Sequence, residues 1–222
     1  MEDNYSVNII LFGPPGAGKG TQADKIVKDF DLCKVSTGDL LREEIRNNTD
    51  IGKKIKPIVD KGWLVSDNII NNLIEKVLSR KEIDNRLIFD GYPRNIDQAK
   101  KLDLLIKKYN QKIFCALNLR VDKSIIVKRI MGRQTCLNCG LIFNEYFNPA
   151  TSKNHSCDAK FLEKRSDDHK EIIMHRYQTY LDKTLPILNY YKELNLLHQI
   201  NGMLKIDEIY NEIRGIISSL ET

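Results

Sequence analysis

The feature that most constrains this chain is a glycine-rich segment placed directly after a short apolar run. The run is Val7–Phe12, and the segment that follows it reads Gly13-Pro-Pro-Gly-Ala-Gly-Lys19-Gly-Thr21. It matches the first seven positions of the pattern G-x-x-x-x-G-K-[ST], with Gly20 at the eighth position and the hydroxyl residue, Thr21, one position later. In this pattern, glycines let successive backbone N–H groups turn around a phosphate. The start of the helix expected next adds positive partial charge at the same point. The segment therefore predicts a nucleoside triphosphate site, with Lys19 on the β- and γ-phosphates and the Thr21 hydroxyl on Mg²⁺.

Short apolar runs alternate with helical patterns along the rest of the chain. The predicted strands are Val7–Phe12, Cys33–Val35, Arg86–Phe89, Ile113–Leu119 and Leu197–Ile200. The predicted helices are Gln22–Phe30, Asp39–Asn47, Asn68–Ser79, Asp97–Tyr109, Lys123–Met131 and Lys205–Leu220, with a polar helix over Asp168–Glu193 that Pro186 should kink. Strands that alternate with helices indicate right-handed crossovers, so we expect an α/β fold with a five-stranded parallel sheet flanked by helices.

Length and composition exclude several classes of protein. The 222 residues are 41% hydrophobic and 29% charged, which excludes collagen-like, disordered and disulfide-scaffold chains and fits one domain with insertions. The N-terminal apolar run Ile9–Phe12 is too short for a secretory signal or a membrane span, so we expect a soluble cytoplasmic protein. The net charge of +5 is mild, and charge alone does not favour nucleic acid over an anionic metabolite.

Two further turns place arginines next to the ends of predicted strands. Ser36–Arg42 follows the second strand and Asp90–Asn95 follows the third, with Gln98 three residues further on. Ligands of open parallel sheets bind at the carboxyl ends of the strands, so Arg42 and Arg94 should face the same region as the glycine-rich loop. A guanidinium fork suits the paired oxygens of a phosphate. These turns therefore predict a second substrate that carries a phosphate.

In this combination the motifs resemble the adenylate kinase family in its long-lid form. They read GPPGAGKGT, STGDLLR, GWLVSD, DGYPRN with Gln98, VKRIMGR, and RSDD followed by Arg176, in this order between Val7 and Gly215. The resemblance implies a P-loop kinase core over residues 1–35, 66–131 and 169–222, an AMP-binding helical insert over residues 36–65, and a lid over residues 132–168.

The resemblance also implies roles for individual residues. The ATP side would comprise Gly16, Ala17, Gly18, Lys19, Gly20, Thr21, Arg129, Arg133, Ile142, Phe143 and Leu204. The AMP side would comprise Thr37, Arg42, Trp63, Leu64, Val65, Gly91, Tyr92, Pro93, Arg94, Gln98, Arg165 and Arg176. The catalytic side chains would be Lys19, Arg94, Arg133, Arg165 and Arg176. Gln98 would read the adenine edge of AMP, and Asp90 would hold Mg²⁺ through water beside Thr21.

The implied reaction is the reversible transfer of the terminal phosphoryl group of ATP to AMP, which gives two ADP and maintains adenine nucleotide homeostasis. It requires Mg²⁺ but no nucleophilic side chain, because positioning and charge neutralisation supply most of the catalysis. The resemblance also implies a monomer that binds neither nucleic acid nor a membrane. Two positions depart from the family pattern: Trp63 stands where many members carry Lys, and Phe143 where many carry Tyr.

Three clustered cysteines stand apart from the nucleotide motifs. Cys136-Leu-Asn-Cys139 resembles a zinc knuckle, and Cys157 is a third thiolate candidate. Zinc-bearing lids of the family resemble C-x₂-C…C-x₂-[CD], but Lys160 occupies the last position here, so the fourth ligand would be Asp158 or His155, or the site would be incomplete. Metal-free packed thiols and a redox C-x-x-C pair are the alternatives.

Two other functions compete with the ATP:AMP reaction. A kinase that uses GTP as donor, or one that phosphorylates pyrimidine monophosphates, would share the P-loop and the arginine turns; Thr37, Gln98 and the long lid favour adenine at the acceptor site. A zinc-ribbon module for nucleic acid is disfavoured, because no stripe of basic and aromatic residues surrounds Cys136–Cys157.

Overall fold

The computed structural model describes residues 8–80, 86–165 and 167–220, so Val7 of the predicted first strand lies outside the described residues. The strands are β1 (Asn8–Phe12), β2 (Cys33–Ser36), β3 (Leu87–Asp90), β4 (Ile113–Arg120), β5 (Arg133–Cys136), β6 (Ile142–Asn144), β7 (Leu162–Glu163) and β8 (Leu197–Asn201). The α-helices are α1 (Lys19–Phe30), α2 (Thr37–Arg46), α3 (Asp50–Asp60), α4 (Asp67–Leu78), α5 (Ile96–Lys108), α6 (Lys123–Met131), α7 (Lys170–Thr179), α8 (Ile187–Glu193) and α9 (Ile206–Ser219).

Five of the strands form the predicted parallel sheet, in the order β2-β3-β1-β4-β8. Within β1, Ile9 lies opposite Ile88 of β3 on one side and Cys115 of β4 on the other. Because β1 is the central strand, the loop that follows it lies where the strand order reverses, which is where open parallel sheets bind ligands. The predicted α/β fold is confirmed, and the ends of the five strands agree with the prediction to within one residue.

Alternating side chains of β1 supply both halves of the core. Ile9 and Leu11 are buried together with residues of α1 and α9, whereas Ile10 and Phe12 are buried with residues of α5 and α8 on the opposite face. The ring of Tyr191 packs on Phe12, with 5.4 Å between the ring centroids. Since helices cover both faces, the strands read as continuous apolar runs rather than as an alternation of apolar and polar residues.

Residues 36–65 contain α2 and α3, and the second of these helices is absent from the sequence-based prediction. Pro57 lies inside α3, where it cannot donate the backbone hydrogen bond that a helix normally makes there, so local propensity argues against the helix. The start of α3 is nevertheless capped, because the Thr49 hydroxyl accepts a hydrogen bond from the Gly52 N–H at 2.9 Å.

Residues 132–168, which the sequence predicts as a lid and which are called the lid below, carry a second sheet that the sequence did not predict. Strand β5 pairs antiparallel with β6 on one side and with β7 on the other. These strands are only two to four residues long, too short to show the period-two alternation that identifies a strand in a sequence.

The predicted helix over Asp168–Glu193 is divided into three pieces. After α7 the chain forms a π-helical segment over Tyr180–Thr184, and α8 begins only at Ile187. The break falls beside Pro186, where the sequence predicted a kink, because proline has no backbone N–H to continue the α-helix. Among the described residues, no helix is both long and apolar enough to cross a lipid bilayer.

Candidate active site

A cavity of about 590 Å³ opens at the carboxyl ends of the parallel strands. It lies between the loop after β1, the turns after β2 and β3, α6 and the lid. Most of the residues expected at the two nucleotide sites line this cavity: Gly16, Ala17, Gly18, Lys19, Gly20, Thr21, Arg42, Asp90, Gly91, Arg94, Arg129, Arg133, Ile142, Phe143, Arg165, Arg176 and Leu204. Residues that are up to 188 positions apart in sequence thus surround one space.

The loop after β1 has the backbone conformation that its glycines permit. Gly16 and Gly18 have φ angles of +78° and +94°, a region that residues with a Cβ rarely adopt. A Cβ at residue 16 would also collide with the side chain of Ile130 in α6. Gly18 directly precedes α1, so the loop delivers its backbone N–H groups to the positive end of that helix.

Lys19 is the first residue of α1, and its ammonium group lies inside the loop. It donates hydrogen bonds to the carbonyl oxygens of Gly13 and Pro14 at 2.8 and 3.0 Å. Burial lowers the pKa of Lys19 to about 8, and only the carboxylate of Asp90 among its main neighbours acts in the opposite direction. The ammonium is therefore held at the loop by two neutral acceptors, which a phosphate can replace with stronger, charge-assisted bonds.

Cationic side chains outnumber carboxylates around the cavity. The cations that line it are Lys19, Lys34, Arg42, Arg94, Arg129, Arg133, Arg165, Arg176 and Lys205, and the carboxylates are those of Asp39 and Asp90. Burial, together with the charge of Arg176 on Arg94 and of Arg133 on Arg165, lowers the pKa of Arg94 and of Arg165 to about 10. A cluster of partly desolvated cations is stabilised by a polyanion, so the cavity is electrostatically suited to phosphates.

Two of these arginines are oriented by consecutive aspartates. Arg133 Nε donates to Asp168 Oδ2 at 3.0 Å, and Arg176 Nη1 donates to Asp167 Oδ2 at 2.6 Å. Asp168 and Asp167 belong to the RSDD motif, whose Ser166 lies outside the described residues. The motif therefore supplies the partners that fix one lid arginine and one α7 arginine at the cavity.

The turns after β2 and β3 are joined directly. The Thr37 hydroxyl donates to the carbonyl oxygen of Gly91 at 2.8 Å, and Arg94 Nε donates to the same carbonyl oxygen at 2.7 Å. The Gln98 amide is buried: its Oε1 accepts from the Arg94 N–H at 2.8 Å and its Nε2 donates to Asp67 at 2.7 Å. Each amide atom retains one further hydrogen-bonding position, which matches a donor–acceptor edge such as that of adenine.

Some residues expected at the AMP site do not line the large cavity. Tyr92 is buried and its hydroxyl donates to Asn71 at 2.8 Å, and Val65 lies in the hydrophobic core. Leu64 and Pro93 line a smaller neighbouring cavity of about 80 Å³. Trp63 is 53% exposed, with the Lys61 ammonium 5.0 Å from its ring centroid. For Tyr92 and Val65, whose side chains are buried, contacts through the backbone remain. Thr37 and Gln98, which are also expected at the AMP site, line neither of the two cavities.

Oxygen donors suited to Mg²⁺ occur at the P-loop end of the cavity. Thr21 and Asp90 both line it, and the Asp90 carboxylate lies 3.7 Å from where a Cβ at Gly20 would be. Hydroxyl and carboxylate oxygens with room for water are the ligands that Mg²⁺ prefers. These two residues therefore fit the predicted magnesium site.

Lid residues complete the cavity wall. Ile142 Cδ1 comes within 3.3 Å of the same point at Gly20, so the lid lies directly over the phosphate loop. Phe143 lines the cavity and also packs edge-on against the His155 ring, with 4.8 Å between the centroids. On the core side, Arg129 Nη1 reaches the Ala17 carbonyl oxygen at 3.4 Å.

The clustered cysteines meet in the lid with a histidine. One ligand atom each of Cys136, Cys139, His155 and Cys157 lies within 4.8 Å of every other. Burial opposes ionisation of Cys136, but hydrogen bonds from the Cys139 backbone and from His155 outweigh it and lower its pKa to about 6. His155 Nε2 is buried and has no hydrogen-bond partner among the described residues. Three sulfur atoms and an orphaned imidazole nitrogen form a donor set that suits Zn²⁺.

Asp158, the other residue expected as a fourth ligand, lies outside this group. It precedes a short 3-10 turn over Ala159–Phe161, and its carboxylate accepts the Lys160 N–H at 2.9 Å and lies 3.4 Å from the Lys160 ammonium. The structure therefore groups His155 rather than Asp158 with the cysteines.

Sequence reasoning did not assign a role to Lys34. This residue lies in β2, lines the cavity and forms an ion pair with Asp24 of α1 at 2.7 Å. A lysine directly before the buried pair Val35–Ser36 of a short strand was the signal available in the sequence.

Comparisons with known proteins show the family of the chain. The sequence model of the family described as adenylate kinase matches residues 11–196. A protein named adenylate kinase from Pelagibacter ubique is 46% identical over 211 residues, which are 95% of this chain and 99% of that protein. Proteins of the same name from Thermoanaerobacter sp. and Archaeoglobus fulgidus are 40% identical over 210 residues (94% of this chain, 96% of that protein) and 36% identical over 218 residues (97% and 100%). With the phosphate loop, the arginine turns and the lid around one cavity, these matches show that the chain belongs to the adenylate kinase family.

Proposed function

We propose that the large cavity binds ATP and AMP together and that its cationic side chains catalyse phosphoryl transfer between them. The protein is an ATP:AMP phosphotransferase, which forms two ADP reversibly. The observation that carries the residue assignments is the concentration of arginines around one cavity that also contains the phosphate loop. Negative charge spreads over the transferring phosphoryl group, and positioned cations stabilise it.

ATP would occupy the side of the cavity between the phosphate loop and the lid. The N–H groups of Gly16–Thr21 and the Lys19 ammonium would contact its phosphates. Arg129 would stack on its adenine, Ile142 and Phe143 would border it from the lid, and Leu204 would border its base. All of these residues line the cavity, which supports this orientation.

AMP would occupy the side formed by the turns after β2 and β3. Arg42 and Arg94 would hold its phosphate, and the two open hydrogen-bonding positions of Gln98 would read the adenine edge. Thr37 would act through its bond to the Gly91 carbonyl oxygen. The contacts of Trp63–Val65, Tyr92 and Pro93 with AMP would be made by their backbone.

Transfer between the two nucleotides needs no covalent enzyme intermediate. Arg133, Arg165 and Arg176 would surround the moving phosphoryl group and neutralise its charge without reorganisation. The lid would exclude water, which otherwise competes with AMP as acceptor. Thr21, and Asp90 through water, would hold Mg²⁺, which would neutralise charge on the ATP phosphates.

We further propose that Cys136, Cys139, His155 and Cys157 bind one structural Zn²⁺. The proximity of their donor atoms and the orphaned His155 nitrogen support this ligand set. The lid strands are short, so a metal would supply stability that the apolar surface of this small unit does not.

A panel that pairs each nucleoside triphosphate with each monophosphate tests the reaction. We expect rapid ADP formation from ATP and AMP, and much slower product formation from GTP with AMP or from ATP with UMP or CMP. Activity confined to GTP as donor, or to pyrimidine acceptors, would overturn the adenine assignments.

Metal analysis of untagged protein tests the zinc site. We expect about one zinc per chain, loss of that zinc in Cys139→Ser and His155→Ala, and retention in Cys33→Ser, whose thiol lies in β2 outside the lid. Less than about 0.2 zinc per chain in the wild type rejects the site.

We also infer from the family resemblance that the protein works as a monomer in the cytoplasm and binds neither nucleic acid nor a membrane. Sedimentation of the protein with and without nucleotides tests the first of these points, with a single species of 25.7 kDa as the expected result.

A further inference from the structure

The π-helical segment Tyr180–Thr184 lies between α7, which carries Arg176, and the break at Pro186. It is closed by a hydrogen bond from the Leu185 N–H to the Tyr180 carbonyl oxygen, five residues back, at 2.8 Å. Single π turns inside α-helices occur frequently at functional sites. Thr184 is the last residue of this segment.

The Thr184 hydroxyl is buried and reaches the turn that carries the other phosphate-site arginine. It donates to the carbonyl oxygen of Arg94 at 2.9 Å. Thr184 and Arg176, eight positions apart in the sequence, line the same small cavity beside Arg94.

Arg94 is thereby fixed at three points. Its N–H donates to Gln98 and its Nε to the Gly91 carbonyl oxygen, and both of these partners belong to the segment around Arg94 itself. The bond from Thr184 joins Arg94 to a different part of the chain, ninety residues away, on the helical unit that carries Arg176. One hydrogen bond thus links the backbone of one phosphate-site arginine to the helix of another.

We propose that Thr184 is a positioning residue for phosphoryl transfer: its hydrogen bond holds Arg94 at a fixed place relative to Arg176. The inference rests on the proposed roles of these two arginines. A shift of about 1 Å between catalytic groups costs up to about 100-fold in rate, so loss of the hydroxyl should act on turnover more than on binding.

Three variants test the proposal by steady-state kinetics in both directions. Thr184→Val keeps the shape and removes the hydroxyl, and we expect kcat to fall about 10- to 100-fold while KM for ATP changes less than about threefold. Thr184→Ser keeps the hydroxyl and should restore kcat to within about threefold of the wild type. Thr179→Val is the matched control. Thr179 also lines the small cavity, but among the described residues its hydroxyl bonds only the His175 carbonyl oxygen of its own helix, so kcat should change less than about twofold.

Two results would overturn the proposal. The first is a Thr184→Val enzyme with kcat within twofold of the wild type. The second is a Thr184→Ser enzyme as impaired as Thr184→Val, because that result would assign the effect to packing of the methyl group. If Thr184→Val does not fold, Thr184→Ala takes its place under the same thresholds. Wild-type protein that forms no ADP from ATP and AMP would instead contradict the proposed function, so the two failures are distinguishable.

Discussion

At the scale of single residues, the site is defined by cations that are partly removed from water. Burial opposes the charge of Lys19, Arg94 and Arg165 and lowers the pKa of each. Such groups destabilise the unliganded cleft, and a bound polyphosphate supplies the missing negative charge. Nucleotide binding and stability of the cleft are therefore coupled through the same side chains.

Removal of the Arg94 guanidinium should be costly for catalysis. We expect Arg94→Ala to lower kcat/KM for AMP by about 10³-fold, as for the loss of an arginine that contacts a transferring phosphate. Arg214→Ala removes an exposed arginine from α9 and should change kcat/KM less than twofold, which controls for net charge. A loss below tenfold for Arg94→Ala contradicts the assignment of Arg94 to the acceptor phosphate.

The pKa of Lys19 predicts an alkaline limit to ATP capture. The protonated ammonium binds phosphate, and the free enzyme loses this proton as pH rises through about 8. We expect kcat/KM for ATP to fall above that pH, approaching tenfold per pH unit, because this parameter reports groups of the free enzyme. In Lys19→Arg the guanidinium stays charged, so the decrease of kcat/KM for ATP above pH 8 should disappear. The same decrease in that variant would show that another group titrates.

The free energy of unfolding should also depend on the titration of Lys19, but it should rise with pH where the capture of ATP falls. Between pH 8 and the ordinary lysine value of 10.5, the folded protein has released the Lys19 proton while the unfolded chain retains it. The unfolded state then binds more protons, so the Lys19 contribution to the free energy of unfolding increases with pH in this range. The buried Lys19 ammonium therefore strengthens phosphate binding at neutral pH, and its loss of a proton makes the folded protein more stable at alkaline pH.

The residues that sequence could identify are those with motif spacing. The glycines of the phosphate loop, Lys19 and the arginines after β2 and β3 follow from local patterns, because each stands next to a predicted strand end. Thr184 carries no such pattern, since its contact is with a residue 90 positions away, and Lys34 shows only the weak signal of a lysine inside a short strand. His155 was left open beside Asp158 because only the three-dimensional path of the lid decides which one reaches the cysteines.

At the scale of secondary-structure elements, close approach of α2 and α3 depends on one glycine. A Cβ at residue 52 would overlap the backbone carbonyl group of Glu44 in α2. The contact lets the two helices of residues 36–65 pack almost backbone to backbone, and Thr49 closes the turn between them by capping α3.

Gly52→Ala should therefore destabilise the protein although alanine is the better helix former. We expect a loss of about 1–3 kcal/mol in the free energy of unfolding, because a backbone atom cannot move aside as a side chain can. Gly215→Ala in α9 is the matched control: a Cβ there has no described neighbour within 4 Å, so a gain of up to about 1 kcal/mol is expected. Urea unfolding of both variants measures the difference, and equal effects would show that helix propensity alone decides.

The sequence predicted the elements whose hydrophobic pattern is long and missed those whose pattern is short or interrupted. The parallel strands of the core read as apolar runs between turn residues, and all five are present. Helix α3 was missed because Pro57 interrupts it, and β5–β7 because two to four residues show no period. The polar helix after the lid was predicted with its break at Pro186 but without the π turn over Tyr180–Thr184, for which the sequence shows no local signal.

At the scale of the whole molecule, the lid and the core meet across the nucleotide cavity. Ile142 lies over the phosphate loop, and the pair of Arg133 with Asp168 bridges the two ends of the lid. Because the lid covers the phosphate loop, we expect it to move when nucleotides enter and leave, and we expect this opening to be the slow step of turnover.

We therefore expect kcat to fall in proportion to solvent viscosity when an inert viscogen is added, because lid motion displaces solvent and the chemical step does not. In Arg133→Ala, chemistry should become slow enough to limit turnover, and the viscosity dependence should disappear. A wild-type kcat that is independent of viscosity would assign the slow step to chemistry.

The exposed indole of Trp63 has a practical consequence for the study of these motions. It is the only tryptophan in the chain, and it stands in the insert next to Gly62, whose backbone packs against Ile172 and Arg176 of α7. Its emission therefore originates from a single place, in contact with water and under the ammonium of Lys61. Tryptophan fluorescence of this protein therefore reports on residues 36–65 alone, because the core and the lid contain no tryptophan.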